Sequence, residues 1–184
     1  IQDAQFTKPL TQFVYNGDDM NLTGKALELI TGRSIFHLLH ESLQRPFSED
    51  ITQFDLGAGD AFNVMYLAKV GQMLIQDGAY GDYRLYSPGF LPKLWPQRIA
   101  DHAPEIPDKN AEWGIGFTWM TGPGERAKSA LGPNVVGHGA ASGSVWRIAL
   151  DHQLVMVVGG GTFNETPVQD EAAAMDARAA GFLP

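Results

Sequence analysis

The stretch Val135-Val-Gly-His-Gly-Ala-Ala-Ser-Gly-Ser-Val-Trp-Arg-Ile-Ala-Leu-Asp-His-Gln-Leu-Val-Met-Val-Val158 decides the fold. Val135 to Ala141, Ser144 to Leu150 and Leu154 to Gly159 are three runs rich in β-branched and aromatic residues, so each reads as a strand. Glycines separate the first two, and Asp151-His152 supplies the turn between the last two. Upstream, Trp113-Gly-Ile-Gly-Phe-Thr-Trp-Met120 alternates and is aromatic, and it reads as one further strand. A Gly/Pro-rich loop covers 121–134, and a final amphipathic helix is expected over about 168–180.

Before residue 112 the pattern is helical. Leu22, Ala26, Leu29 and Ile30 recur at helical spacing, and Thr31-Gly32 reads as a C-cap. Residues 1–20 read as extended chain or loop, with Asn16-Gly17-Asp18-Asp19 as a turn. A second helix runs from Ser34 to about Leu43 and ends at Pro46. The polar, Gly-rich residues 48–60 read as a loop. Phe62 to Leu74 reads as the longest helix and stops at Asp77-Gly78. Ser87-Pro88 predicts a short helix over 88 to about 95. Residues 96–111 hold three prolines and read as irregular. Helices, then strands, then a helix give an α+β fold with an antiparallel sheet and flanking helices. The chain is taken as one unit, 1–111 mainly helical and 112–184 strands with the closing helix.

Composition narrows the function. The 184 residues carry 13 Lys and Arg against 21 Asp and Glu, a formal net charge of −8, so no basic footprint for nucleic acid exists. Hydrophobic residues make up 44% and charged residues 18%, which is globular rather than disordered composition. No apolar run approaches the ~20 residues of a membrane span. Cysteine is absent, which excludes disulfides, thiolate metal sites and a cysteine nucleophile. The start at Ile1 has neither an initiator Met nor a signal-peptide pattern, and reads as a trimmed or processed chain.

Taken in order, several motifs resemble the serine β-lactamase-like family of class C β-lactamases, D-Ala-D-Ala carboxypeptidases and esterases. They are Tyr15-Asn-Gly-Asp-Asp-Met-Asn-Leu-Thr-Gly24 running into Ala26-Leu-Glu-Leu-Ile-Thr-Gly32, then Gly71-Gln-Met-Leu-Ile-Gln-Asp-Gly-Ala-Tyr-Gly81, Ser87-Pro88, Trp113-Gly-Ile-Gly-Phe117 and Gly137-His-Gly-Ala-Ala-Ser-Gly143. The resemblance implies acyl transfer to a Ser activated by a Lys one helical turn later, with a Tyr managing protons and backbone N–H groups stabilising the oxyanion. It needs no cofactor or metal. Tyr15 matches the family Tyr, a general-base candidate. His138 matches the first position of the third motif, and Gly139 and Ala140 its second and third; the N–H of Ala141 would be the oxyanion donor. Asn16 and Gly17 follow the Tyr at binding positions.

Three departures stand out. No Ser in this sequence has Lys three residues on; Ser42 is followed by Arg45. Gly17 replaces the Asn expected two after Tyr15, and Ala140 replaces a Gly. The missing pair lies N-terminal to the Tyr motif in the family, so the chain resembles the C-terminal portion of such a protein. A companion chain or segment would then supply Ser-x-x-Lys. Half of such a sheet would leave an unpaired edge that demands a partner. With His rather than Lys at 138, a small ester, amide or peptide substrate suits better than a β-lactam. Relatives of this kind are commonly periplasmic or secreted. A non-catalytic binding or sensing module is the competing expectation.

Other clusters read blandly. His37, His40 and Glu41 lie on one helix, do not match H-E-x-x-H and read as a solvated face. Asp18, Asp19, Glu49, Asp50, Asp55 and Asp60 lack a calcium-loop spacing. Gly159-Gly-Gly-Thr162 lacks the dinucleotide register. Trp113, Trp119 and Trp146 read as core, with one left to line an acyl pocket.

Overall fold

The computed structural model describes residues 8, 10–49, 56–57, 63–120, 126, 129, 131–140 and 143–159. The expected final helix, the Gly160-Gly161-Thr162 run and most of the 48–60 loop lie outside them.

Helix α1 is Gly17–Thr31, so Asn16-Gly17-Asp18-Asp19 opens a helix and is not a turn. The same chemistry serves both roles, because a short polar side chain can bond the backbone just ahead of it. Here the Asn16 side chain accepts from the Asp18 N–H at 3.0 Å, and Asp18 and Asp19 complement the positive end of the dipole. Gly32 closes the helix in the left-handed conformation at φ 67°, as its sequence signal predicts. Asn16→Ala removes this cap and is expected to lower stability by about 1 kcal/mol, read as a shift in the urea midpoint.

Helix α2 (Ile35–Leu39) runs through a π-helical turn (His40–Gln44) into α3 (Arg45–Phe47). Pro46 therefore does not end the helical run. The wider π turn relieves the clash a proline makes with the carbonyl four residues back. That carbonyl, on Ser42, accepts instead from the Tyr83 phenol at 2.8 Å. Ser48, in the left-handed region at φ 54°, stops the run.

Helix α4 spans Val64–Ile75, 12 residues against 15 in α1, so it is not the longest. Asn63 caps it by accepting from Tyr66 N–H at 2.8 Å. The expected stop at Asp77-Gly78 is present. Gly78 N–H reaches the Met73 carbonyl at 2.9 Å and Asp77 N–H the Leu74 carbonyl at 3.1 Å, the double closure of a Schellman turn. Gly71 lets α4 approach the sheet, since a methyl there would sit 2.5 Å from Val155.

Lys69 on α4 ties down the segment after α3. Its Nζ donates to the Phe47 carbonyl at 2.8 Å and to Glu49 at 2.5 Å, while Asn63 donates to Glu49 at 2.7 Å. The Lys69 hydrogen bond, then that of Asn63, holds the Glu49 carboxyl below its usual 4.5. A carboxyl with a lowered folded pKa stabilises above its unfolded value and loses that contribution as pH falls through the folded one. The stability difference between wild type and Glu49→Gln is therefore expected to be constant near neutrality and to shrink below about pH 4.5, measured by urea melts across pH.

Beyond α4 come two small antiparallel ladders, β1 (Ala79–Tyr80) with β2 (Tyr83–Arg84), and β3 (Gln97–Arg98) with β4 (Glu112–Trp113). The expected helix over 88–95 is instead a turn and a short 3₁₀ segment, Leu91–Lys93. Phe90 N–H bonds the Ser87 carbonyl at 3.3 Å with Gly89 at φ 76°, the demand of a type II turn with Pro88 first. The expected single strand over 113–120 is broken in two. Leu94 accepts from Ile115 N–H at 3.1 Å and Gly116 turns at φ 78°, so the chain leaves β4 and re-enters as β5 (Thr118–Trp119).

The main sheet has the order β5-β6-β7-β8, all antiparallel, with β6 Val135–Gly139, β7 Val145–Ala149 and β8 Leu154–Val158. The three strands read from sequence are present, each slightly shorter. Residues 150–153 make the turn, with Gln153 at φ 51°. Leu74, Leu91, Phe117, Val136 and Ile148 form the central core, with Trp95, Trp119 and Trp146 against it. Among the described residues β8 ends the sheet unpaired on its outer side. The architecture is α+β, helices beside antiparallel sheet.

Candidate functional site

The site lies where β6 outruns β5. Even-numbered residues of β6 turn their backbone groups to β7: Ala140 N–H donates to Ser144 at 2.9 Å, and Asn134 accepts from Leu150 N–H at 3.0 Å. Odd-numbered ones face β5, as Val135 does in accepting from Met120 N–H at 3.0 Å. The last β5 pair is Thr118 with Gly137. Gly139, exposed, therefore presents N–H and C=O past the end of β5, with no strand partner among the described residues. Ala140 commits both backbone groups to the hairpin, since its carbonyl also accepts from Gly143 N–H at 3.0 Å.

His138 sits opposite Trp146 and is half-buried. The segment leading into α1 brings Tyr15 to it, and Tyr15 Oη lies 3.3 Å from His138 Nε2 across 123 positions of sequence. Either group can donate, depending on the imidazole tautomer. Tyr15 is half exposed at 51%, so the pair is open to solvent and to a ligand.

Trp113 holds the pair in place. Its ring centroid lies 5.2 Å from Tyr15, 5.3 Å from Phe13 and 6.5 Å from His138, within the range of favourable aromatic contact. Of the three tryptophans read as core, Trp119 and Trp146 pack there, whereas Trp113 forms the wall of the site. The sequence left one of the three to line a pocket, but strand tryptophans look alike until the sheet ends, so their aromatic character did not say which. Trp113 also lines two clefts. One of about 170 Å³ runs along Tyr15, Asn16, Asp19, Met20 and Thr23. The other, of about 310 Å³, is bordered by Lys93, Trp95, Gln97 and His102.

The structure thus unites Tyr15, His138 and Gly139. It does not bring the side chain of Asn16 to them, since that side chain caps α1. Gly17 packs backbone to backbone, with Gly57 O 3.0 Å from where its Cβ would lie. Ala141 lies outside the described residues. His40 and Arg45 both meet Glu41, at 3.5 and 3.1 Å. No group of three metal-ligating side chains occurs among the described residues, and none of their helices is long and apolar enough to cross a membrane.

No family model matches the sequence, and no curated protein matches it. The structure is similar to that of a putative beta-lactamase from Bacteroides dorei DSM 17855, with a TM-score of 0.66 at 17% identity. The match covers 94% of this chain and 60% of that one, so the chain spans about three-fifths of that protein's length. The likeness is one of fold: the helices and antiparallel sheet described above are of β-lactamase-like type.

Proposed function

We propose that this chain is the C-terminal part of a serine hydrolase, transferring an acyl group from a small ester, amide or peptide to water. The carrying observation is the Tyr15–His138 contact of 3.3 Å at the open end of β6. Tyr15 takes the proton of a nucleophilic Ser and returns it to the leaving group. His138 holds the phenol and accepts or supplies its hydrogen bond as charge moves. The N–H of Ala141, by resemblance, donates to the oxyanion. The Ser and its Lys come from a segment outside this chain, and export to the periplasm or outside follows the same resemblance. His138, where a permanently cationic Lys would grip a carboxylate, favours ester or peptide over β-lactam.

The test is a fluorophosphonate serine probe on the complete encoded polypeptide, followed by intact mass and peptide mapping. Labelling of a Ser followed three residues on by Lys supports the reading; absence of any labelled Ser, with ester turnover at background, overturns it. The second result favours a binding or sensing module. One observation already leans that way: Asn16 caps α1 and Gly17 packs against Gly57, so neither residue after Tyr15 supplies the Asn side chain of the Tyr motif.

A further inference from the structure

Aromatic rings gather at the surface beside the Tyr15–His138 pair. Phe13 is 44% exposed and Tyr15 half exposed, yet both pack on Trp113, with centroids 5.3 and 5.2 Å from it. Rings held by one another but left open to solvent form a surface for a ligand. All three line the cleft of about 170 Å³ along the start of α1, together with Met20 and Asp19. Asp19 is the one charged residue lining it among the described residues. Its carboxylate has no hydrogen bond or ion pair among them, since the Thr23 hydroxyl donates at 2.9 Å to the main-chain carbonyl of Asp19.

This chemistry selects a cation. The face of an aromatic ring is negative and draws an ammonium group to within about 6 Å of its centroid. Trp113, in contact with both neighbours, brings three rings close enough to share one such charge. An anion is disfavoured, because Asp18 and Asp19 already answer the positive end of α1 and Asn16 already takes the Asp18 N–H. The volume is smaller than the ~300–1,000 Å³ of a pocket that holds a whole ligand, so the cleft suits one head group.

We infer that this cleft takes an alkylammonium group, its charge facing Asp19 and its carbons on Phe13, Tyr15 and Trp113. That ligand class rests on the cleft alone. One further step rests on the proposed function: Tyr15 belongs both to the cleft and to the pair with His138, so the substrate would be an amine-bearing ester or peptide.

The test is calorimetric titration of the complete encoded polypeptide at fixed ionic strength with three probes. They are choline, ethanolamine and 3,3-dimethyl-1-butanol, the neutral carbon isostere of choline. The better of the two amines is expected to bind ~10-fold or more tightly than the isostere, the combined effect of ring faces and a carboxylate. Choline ahead assigns a methylated head group, and ethanolamine ahead a primary amine. Asp19→Asn, which keeps the shape of the side chain, and Phe13→Leu, at an exposed position, are each expected to weaken binding about 2–5-fold. Should the melt of one variant fall, the other decides. Isostere binding equal to that of the amines, no binding of any probe, or amine binding that the folded variants leave unchanged overturns the inference. Titration needs no turnover, and serine labelling on the same preparation reports separately on the hydrolase reading.

Discussion

Tyr15→Phe in the complete protein is expected to lower ester turnover by ~10²–10⁴-fold, the usual effect of losing a positioned proton-transfer group. The change deletes one oxygen, the atom 3.3 Å from His138 Nε2. The ring that packs on Trp113 at 5.2 Å stays. Because Tyr15 is half exposed, little burial is lost and the thermal midpoint is expected to hold within about 2 °C, a stability change within the ~0.5 kcal/mol range of surface substitutions. Loss should fall on kcat with KM little altered, since the phenol acts on the moving proton and not on substrate affinity. Turnover within about twofold of wild type would remove Tyr15 from the chemistry and leave it an aromatic anchor.

Gly137→Ala is expected to cost about 3 kcal/mol or more, above the middle of the overpacking range. A Cβ at Gly137 would fall on the Trp146 carbonyl and within 3.0 Å of Met120 Sδ. The methionine can move aside, but the carbonyl belongs to the ladder between β6 and β7 and cannot move without opening it. A thermal midpoint lower by roughly 6–12 °C follows for a domain of this size. Gly137 precedes His138 and pairs with both Thr118 and Arg147, so relief of the clash displaces the site as well. A melt unchanged within about 1 °C would show that β6 and β7 separate there at little cost.

The sequence by itself determined the elements whose causes are local. The three strands from Val135 to Val158 were legible because residue type and turn chemistry repeat over a few positions, and β-pairing follows. The C-terminal stop signals at Gly32 and Asp77-Gly78 were legible because left-handed backbone has a residue preference of its own. Tertiary structure decided the points where one local chemistry permits two outcomes. Asn16-Gly17-Asp18-Asp19 suits a turn or a helix start, and it starts a helix, with Gly17 fitting closely against Gly57. Pro46 ends a helix or rides a π turn, and the phenol of a distant Tyr83 takes the carbonyl it leaves. The alternation over 113–120 suits one strand, but Leu94 captures Ile115 and breaks it. Periodicity found α1 without revealing which way its apolar stripe would point. Tyr15 and His138 were each legible as candidates from the resemblance, yet their contact spans 123 positions, and only the tertiary structure set Trp113, and neither Trp119 nor Trp146, against the pair. Periodicity and caps are properties of neighbouring residues; a site is a property of where strands stop and which distant segment lies across them.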